Sequence, residues 1–218
     1  MDRLHINEIF YSLQGEGTRA GMPCVFVRFA GCNLHCVWCD TEYSRRADSA
    51  KLAMTRDELM AKILGYNCEF IEFTGGEPML EPALPEITKT LCEMGYTVAI
   101  ETNGSIMLNE LDGRVVKIVD VKCPGSGCAE SFLLENIDFL RCRDEVKFVI
   151  ALPNDLDFAR DFVLHHNLSG KCGAVLFSIV PGSLSLKDVA DFILQNRLDV
   201  RLQVQLHKLI WGADAVGV

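Results

Sequence analysis

The chain lacks the features that would indicate a membrane, a secretory route or a nucleic-acid surface. None of its 218 residues lies in an apolar run approaching the roughly 20 residues that cross a bilayer. The opening MDRLHINEIFYS carries charges and no apolar stretch, unlike a secretory signal. Lys and Arg form no block and the formal charge is −9, which argues against binding duplex nucleic acid through phosphate contacts. We expect a cytoplasmic protein that contacts neither nucleic acid nor membrane.

Internal repeats, low-complexity tracts and Pro/Ser linkers are also missing, so we expect a single domain over residues 1–218. Short β-branched runs alternate with segments of helical periodicity, which predicts βαβ units and a parallel sheet, open or curled into a barrel. The predicted strands are Val25–Phe29, Phe70–Phe73, Thr97–Glu101, Val115–Val121, Glu145–Ile150, Ala174–Ile179 and Val200–Leu206. The predicted helices are 55–64, 84–94, 154–167 and 185–196. A capping box of Thr55 and Glu58 begins the first of them, and Gly95 ends the second.

The unusual short motifs of the chain all follow predicted strands. In chain order they are the cysteine loop GCNLHCVWCDT, then TGGEP, TNG, KCPGSG, VPG and HKLIWG. Barrels and doubly wound sheets place their active sites at the carboxyl ends of their strands. One site assembled from many loops is therefore predicted.

Cysteine is abundant, and three of the ten cysteines, Cys32, Cys36 and Cys39, lie within eight residues. In a reducing compartment such a cluster indicates a metal or catalysis more than disulfides. The other seven are Cys24, Cys68, Cys92, Cys123, Cys128, Cys142 and Cys172. Most of them lie in apolar segments and are expected to be buried thiols. Cys123 and Cys128, in KCPGSGC, are candidate ligands, but two thiols are too few to hold a metal alone.

Zinc and iron–sulfur are the two candidates for the cysteine loop. A structural zinc site takes four protein ligands, and His35 would complete a Cys₃His set. Because His35 adjoins Cys36 in sequence, ligation of one ion by both is awkward. Thiolates in short spaced runs also hold cubane iron–sulfur clusters. Three thiolates on four irons leave one iron free to bind a substrate or cofactor directly.

The Cys-x₃-Cys-x₂-Cys spacing, with Trp38 before the last cysteine, resembles the signature of the radical S-adenosylmethionine (SAM) superfamily. TGGEP after the next strand strengthens the resemblance. It implies a [4Fe-4S] cluster whose open iron is chelated by the methionine moiety of SAM. Gly75 and Gly76 would let the backbone approach that cofactor closely, and Trp38 would pack against adenine.

Further motifs resemble the 7-carboxy-7-deazaguanine synthase family. They are FYSLQGEG, FVRFAGC, WCDT, DVKCPGSG, DEVKFVI and QLHKLIWG with the final GV, and they run from Ile9 to Val218. The resemblance implies an α/β fold, an incomplete TIM-type barrel with flanking helices, and a homodimer. It also implies radical-initiated conversion of 6-carboxy-5,6,7,8-tetrahydropterin to 7-carboxy-7-deazaguanine, with loss of ammonia, on the route to queuosine and related deazapurines. An electron donor such as flavodoxin or ferredoxin is required.

The resemblance also assigns roles residue by residue. Cys32, Cys36 and Cys39 match cluster ligands, and Thr41 matches a magnesium ligand. The positions that match SAM contacts are Trp38, Cys39, Asp40, Gly76, Asp120, Val121, Lys122 and Ser178. The positions that match substrate contacts are Leu13, Gln14, Gly15, Arg28, Thr74 and the terminal carboxylate of Val218. The Asp120–Lys122 segment departs from the family pattern, since many members carry Ser-Pro-Lys there, yet an aspartate suits ribose hydroxyls. Further candidates are Glu101, Asn103, His207 and Lys208.

Two other classes of protein share part of this pattern. A glycyl-radical-enzyme activase shares the cysteine spacing, although SLQGEG and the ending WGADAVGV argue against it. A zinc-binding structural module belongs to a different class altogether, and iron and sulfide analysis separates the two metals.

Overall fold

The computed structural model describes residues 3–212 and 215–218, so Ala213 and Asp214 of the ending WGADAVGV lie outside the described residues. It contains a nine-stranded sheet in the order β3-β1-β2-β4-β5-β6-β7-β8-β9. The strands are β1 (Leu4–Leu13), β2 (Pro23–Phe29), β3 (Leu52–Met54), β4 (Phe70–Gly75), β5 (Thr97–Thr102), β6 (Val116–Asp120), β7 (Glu145–Ile150), β8 (Ala174–Ile179) and β9 (Arg201–Leu202). The helices are α1 (Arg56–Leu64), α2 (Leu84–Glu93), α3 (Pro153–His166), α4 (Leu186–Gln195) and α5 (Leu206–Trp211).

The sheet is mostly parallel and does not close on itself. From β2 through β4 to β9 every neighbouring pair is parallel, while β1 runs antiparallel to both β2 and β3. Strands β3 and β9 form the two free edges. The predicted α/β fold with an incomplete barrel is confirmed. None of the described helices combines the length and the apolar character needed to cross a bilayer.

The capping residues identified in the sequence lie at the ends of the observed helices. Thr55 Oγ1 accepts a hydrogen bond from Glu58 N at 3.2 Å, and a Glu58 carboxylate oxygen accepts one from Thr55 N at 2.8 Å, which completes the predicted capping box. Gly95 follows α2 with a φ of 93°, in the left-handed region that suits glycine. Ser185 caps α4 in the same way as Thr55 caps α1.

The final predicted strand, Val200–Leu206, is wrong over most of its length. Strand β9 comprises only Arg201–Leu202, and a short helix, α5, begins at Leu206. The amide of Leu206 donates to Gly15 O at 2.9 Å, so this segment bonds to the loop after β1 rather than extending the ladder. HKLIWG therefore lies in α5 instead of following a strand. Strands β1 and β3 have no counterpart among the predicted strands.

Apolar side chains form two core clusters, each of which packs strands against helices. One cluster joins β1–β6 with α1 and α2, and the other joins β7 and β8 with α3 and α4. Fully buried members include Phe73 in the first cluster and Phe148 and Phe177 in the second. Because side chains alternate along a strand, the polar residues at the intervening positions point into the barrel.

The opening between the two edges of the barrel is bridged by the segment after β1, Gln14–Arg19, here called the N-terminal loop. The amide of Gly17 donates to Gln203 Oε1 at 2.6 Å, and the amide of Thr18 donates to the Glu145 carboxylate at 3.2 Å. Gly17 has a φ of 68°, and a Cβ at that position would collide with Glu145. This glycine is therefore required for the loop to approach β7 so closely.

Candidate active site

One cavity at the carboxyl ends of the parallel strands collects most of the predicted site residues. It is lined by Leu13, Gln14, Gly15, Arg28, Cys32, Cys36, Trp38, Cys39, Asp40, Thr41, Thr74, Gly76, Asp120, Lys122 and Val218. Two predicted SAM contacts are not in its lining. The side chain of Val121 belongs to the second core cluster, and Ser178 is buried within β8. The roles of all these residues stay predictions.

The cysteine loop is held by backbone contacts rather than by regular structure. The amides of Gly31 and Cys32 donate to Ser44 O and Arg45 O, both at 2.8 Å. On the far side, the amide of Val37 donates to Ser126 O at 3.0 Å. These anchors place the three thiols on the wall of the cavity.

The arrangement of the thiols suits a cluster better than a single ion. Within residues 3–212 and 215–218, no three His, Cys, Asp or Glu side chains gather as a single metal ion requires, and His35 is exposed. Thiolates that ligate different irons of a cubane need not converge on one point. The donor set of three cysteines therefore fits a four-iron cluster and disfavours the zinc alternative.

TGGEP packs directly against the cysteine loop. The amide of Glu77 donates to Gly31 O at 2.8 Å, and a Cβ on Gly76 would collide with that same carbonyl. The Glu77 carboxylate accepts hydrogen bonds from Thr102 Oγ1 and Asn103 N, both at 2.7 Å. The motif thus locks the loops after β2, β4 and β5 together, a structural duty in addition to any contact with SAM.

Asp120 and Lys122 supply an ion pair with one unused acceptor. Lys122 Nζ lies 2.6 Å from Asp120 Oδ2, and the pKa of Lys122 is raised, since Asp120 and Cys36 outweigh the effect of burial. Among the described residues, nothing hydrogen-bonds to the buried Asp120 Oδ1. A buried acceptor on a cavity wall calls for a donor, and the hydroxyls of a ribose provide one. This side of the cavity therefore fits SAM.

The segment KCPGSGC, residues 122–128, also contacts the cysteine loop, and the amide of Val37 donates to its Ser126 O. Gly125 lies against the ring of Trp38 so closely that a Cβ there would collide with it. Cys123 is buried in the second core cluster, whereas Cys128 is only half-buried. Burial raises the pKa of Cys36 to about 12, with Lys122 opposing the shift. KCPGSGC thus supports the cysteine loop, a contact that its spacing alone did not predict.

The remaining cysteines divide between core and surface. Cys24, Cys68 and Cys172 are buried, as expected for ordinary thiols, Cys92 is half-buried and Cys142 is exposed.

Arg28 is held by a hydrogen bond at Nε that leaves its two terminal nitrogens available for a ligand. Its Nε donates to Glu8 Oε1 at 2.7 Å, and that oxygen also accepts from the Tyr43 hydroxyl at 2.7 Å. Among the described residues, no hydrogen bond engages the terminal nitrogens of Arg28. A guanidinium fixed at Nε can bind a carboxylate through its terminal nitrogens.

A network of buried charges covers the floor of the cavity, deeper in the barrel than the strand ends. Lys147 Nζ is 3.0 Å from Glu16 Oε2 and also pairs with Glu101. Glu16 in addition accepts from Gln203 and Gln205, at 2.8 and 2.7 Å. Gln14 Nε2 donates to Glu72, and Thr74 Oγ1 donates to Glu101 at 3.0 Å. Sequence reasoning missed Glu16, Glu72, Lys147, Gln203 and Gln205; polar residues at alternate strand positions were the available signal.

The carboxyl groups of this floor carry opposite pKa shifts. Burial and the nearby Glu101 raise the pKa of Glu72 to about 8. Although burial opposes it, Lys147 lowers the pKa of Glu101 to about 2. Environments that separate two carboxyl pKa values mark sites of recognition or catalysis. The Lys147 ammonium thus keeps Glu101 charged and leaves Glu72 as the protonated member.

The cavity has two ends with different linings. The cofactor end comprises the cysteine loop, Gly76 and the Asp120–Lys122 pair, and the substrate end comprises Gln14, Arg28, Glu72, Glu101, Lys147 and Val218. Lys208 of α5 lies 3.6 Å from Asp40 and links the chain's last helix to the cysteine loop.

Comparison with known proteins agrees with this architecture. A radical SAM superfamily model matches residues 26–121, which hold the cysteine loop and TGGEP. Among solved structures, QueE from Escherichia coli shares the fold with a TM-score of 0.74 at 22% identity, over 93% of this chain and 94% of that chain. The fold and the site thus define a radical SAM enzyme, a class that uses a [4Fe-4S] cluster and SAM.

The sequence comparisons are more specific. A 7-carboxy-7-deazaguanine synthase of Koribacter versatilis is 42% identical, over 99% of this chain and 100% of that protein. One from Chlorobaculum tepidum is 41% identical, over 99% of this chain and 97% of that protein. The chain belongs to the 7-carboxy-7-deazaguanine synthase family.

Proposed function

We propose that this enzyme converts 6-carboxy-5,6,7,8-tetrahydropterin to 7-carboxy-7-deazaguanine, contracting the ring with loss of ammonia, in queuosine and related deazapurine biosynthesis. The observation that carries the proposal is the single cavity in which the three-cysteine loop faces Gln14, Arg28 and Thr74, the positions that match pterin contacts. Its polar floor and free guanidinium nitrogens are suited to a heterocycle that bears a carboxylate.

The cofactor end would hold the cluster and SAM. Cys32, Cys36 and Cys39 are the proposed ligands, and the unpaired Asp120 Oδ1 is the proposed acceptor for the ribose. When bound, the cluster supplies an electron to SAM, and SAM supplies the radical that takes a hydrogen atom from the pterin. Trp38, half-buried against Gly125, would cover the adenine side and exclude water.

The substrate end would bind and orient the pterin. Arg28, fixed by Glu8 at Nε, would receive the substrate carboxylate on its terminal nitrogens. Gln14 and Gly15 lie where the ring would pass between the N-terminal loop and β4. We place a magnesium ion at Thr41, whose hydroxyl lines the cavity 3.8 Å from Cys39 Sγ and offers the hard oxygen that Mg²⁺ prefers.

The proposal includes a cellular setting and partners. Ten free cysteines suit the reducing cytoplasm, where a flavodoxin or ferredoxin would supply electrons. We further propose a single domain over the chain, acting as a homodimer; the apolar Leu209, Ile210 and Trp211 exposed on α5 are available for a second copy. Sedimentation of the reconstituted enzyme tests the oligomeric state, and a monomer would contradict it.

The proposed activity is tested by anaerobic reconstitution with iron and sulfide, followed by incubation with SAM, a reductant and the carboxytetrahydropterin. Mass spectrometry should show 7-carboxy-7-deazaguanine with release of ammonia. Cleavage of SAM without conversion of the pterin would retain the class of enzyme and reject the substrate.

A further inference from the structure

Glu72 is a buried acid on the inner face of β4 to which sequence comparison gave no role. It pairs in register with Phe26 of β2 and lies two residues before Thr74. Its residue is 2% exposed, and it lines the cavity. A carboxyl group this deeply buried is rare unless it is paired or functional.

Only part of the hydrogen-bonding capacity of Glu72 is used. Within the described part of the chain, its one side-chain hydrogen-bond partner is Gln14 Nε2, which contacts Oε2. Gln14 is itself oriented, because its Oε1 accepts from Glu16 N at 3.0 Å. One oxygen of Glu72 and one N–H of Gln14 therefore remain for a ligand in the cavity.

The charges around Glu72 favour its neutral form. The facing titratable groups are Glu101, Glu16 and Lys147 inside the barrel, and Cys24 on the neighbouring strand. Lys147 is engaged by Glu16 and Glu101, and burial keeps the Cys24 thiol protonated by raising its pKa. Burial and the two carboxylates raise the pKa of Glu72 to about 8. At pH 7 the group therefore carries its proton, and it is a hydrogen-bond donor.

The wall beside Glu72 suits a flat ring. Phe26 stacks on Phe10 with ring centroids 5.0 Å apart and an interplanar angle of 15°, and both line the cavity. Planar apolar walls with a few convergent polar groups are typical of sites for heterocycles. The polar groups at this wall, a protonated carboxyl and an amide N–H, are both donors.

We propose that Glu72 is a substrate-contacting residue: its carboxyl group donates a hydrogen bond to the ring carbonyl of the pterin, with the free N–H of Gln14 as companion donor. The inference rests on the proposed function, since it names the part of the pterin that the floor of the cavity recognises. A terminal carboxylate at Val218 would accept from the N–H groups of the same ring, so the two contacts complement each other.

The test is equilibrium binding of 6-carboxy-5,6,7,8-tetrahydropterin to cluster-loaded enzyme without SAM, by anaerobic calorimetry between pH 7 and pH 9. Glu72→Gln keeps a neutral donor at all pH values, and Glu72→Leu removes it. The control is Glu69→Gln, the same change at an exposed position just before β4. Cluster absorbance and thermal melting report whether each variant is folded.

At pH 7 we expect Glu72→Gln to bind within about threefold of wild type, and Glu72→Leu roughly tenfold more weakly, as for one buried hydrogen bond left unmade. The affinity of wild type relative to Glu72→Gln should fall roughly tenfold from pH 7 to pH 9, because a group with a pKa of about 8 ionises in that range. The comparison with Glu72→Gln cancels titration of the substrate itself.

A constant affinity ratio between wild type and Glu72→Gln over this pH range would overturn the proposal. So would Glu72→Leu binding as tightly as wild type, or Glu72→Gln binding as weakly as Glu72→Leu at pH 7. If Glu72→Leu fails to fold, the pH dependence of the Glu72→Gln ratio still decides. Failure of the wild type to bind the pterin at all would instead reject the proposed function.

Discussion

The two ends of the cavity are built in different ways. The cofactor end is assembled from short motifs that are each local: its three cysteines fall within one loop, and Asp120 and Lys122 are two residues apart. The substrate end depends on contacts across the whole chain, since Glu16 bonds to Lys147, Gln203 and Gln205, 131 to 189 positions away. One end is therefore specified by a motif and the other by the closure of the barrel.

This difference leads us to expect that the two ends fail separately. Substitutions in the cysteine loop should abolish the cluster while the barrel and pterin site persist. Substitutions in the buried network should impair pterin binding and stability while the cluster still assembles.

The largest effect is expected at the cysteines. Single replacement of Cys32, Cys36 or Cys39 by Ala should remove the visible absorption of the cluster and all cleavage of SAM, since each thiolate is the proposed ligand of one iron. Cys68→Ala and Cys92→Ala are the controls and should retain both. A Cys36→Ala protein with a full four-iron cluster and normal SAM cleavage would refute the ligand assignment.

The next largest effect is expected for Lys147→Met, which leaves the half-buried Glu16 and Glu101 without the buried ammonium that pairs with both. Breaking a buried pair costs about 3–5 kcal/mol, so the free energy of unfolding should drop, and pterin binding should be lost with it. Lys89→Met is the control, because that exposed lysine lies 4.0 Å from Glu93 in a weak surface pair.

The pH dependence of the Lys147→Met effect has a definite sign. Lys147 holds the pKa of Glu101 at about 2, so its stabilisation is present above the usual carboxyl pKa and is lost as pH falls towards 2. The stability difference between wild type and variant, measured by denaturant unfolding, should therefore be greatest near neutral pH and shrink below about pH 4.5. A difference independent of pH would show that lost packing, not charge, is responsible.

A smaller and more selective effect is expected at the chain end. Val218 lines the cavity, and Gly217 lies beside Glu8, the partner of Arg28. Deleting Gly217 and Val218, or appending a carboxy-terminal tag, should weaken pterin binding, because unpaired donors in a closed site cost ~1–3 kcal/mol each. SAM binding should survive. Equal pterin affinities for tagged and untagged protein in calorimetry would show that Gly217 and Val218 do not contribute to substrate binding.

The smallest effect is expected for Thr41→Ala, at the boundary between the two ends. The cluster and SAM should bind normally, whereas turnover should respond weakly or not at all to added magnesium. Thr41→Ser keeps the hydroxyl and should restore the response. If Thr41→Ala responds to magnesium like wild type, the ion lies elsewhere.

The sequence predicted the parts of this molecule that are local. Periodicity located β2, β4–β8 and four helices, and the Thr55/Glu58 cap gave the start of α1. The cysteine spacing and TGGEP predicted the cofactor end for the same reason. Strand β1 was not predicted because polar and apolar residues mix along it. The start of α5 was assigned to a strand because apolar and polar residues alternate from Val200 to Leu206, a pattern typical of a strand.

The substrate end was only partly predictable. Gln14, Arg28 and Thr74 came from family resemblance, whereas Glu72 and Lys147 were hidden inside segments interpreted as buried strands. Nothing in FIEFTG or EVKFVI indicates which strand faces another across the barrel. That pairing depends on tertiary contacts between distant segments, which no local pattern encodes.

The contacts of the N-terminal loop with distant residues imply that parts of the site form at different times during synthesis. Gln14–Arg19 emerges from the ribosome early, but its partners Gln203 and Gln205 come near the end of the chain. Contacts of such sequence separation form late, and a nascent chain folds from its amino-terminal part onward. The cysteine loop can thus fold around its anchors while the pterin site is still incomplete. The hydrogen-bond network around Glu16 is therefore completed only once Gln203 and Gln205 have joined it, after the cysteine loop and its anchors have been synthesised.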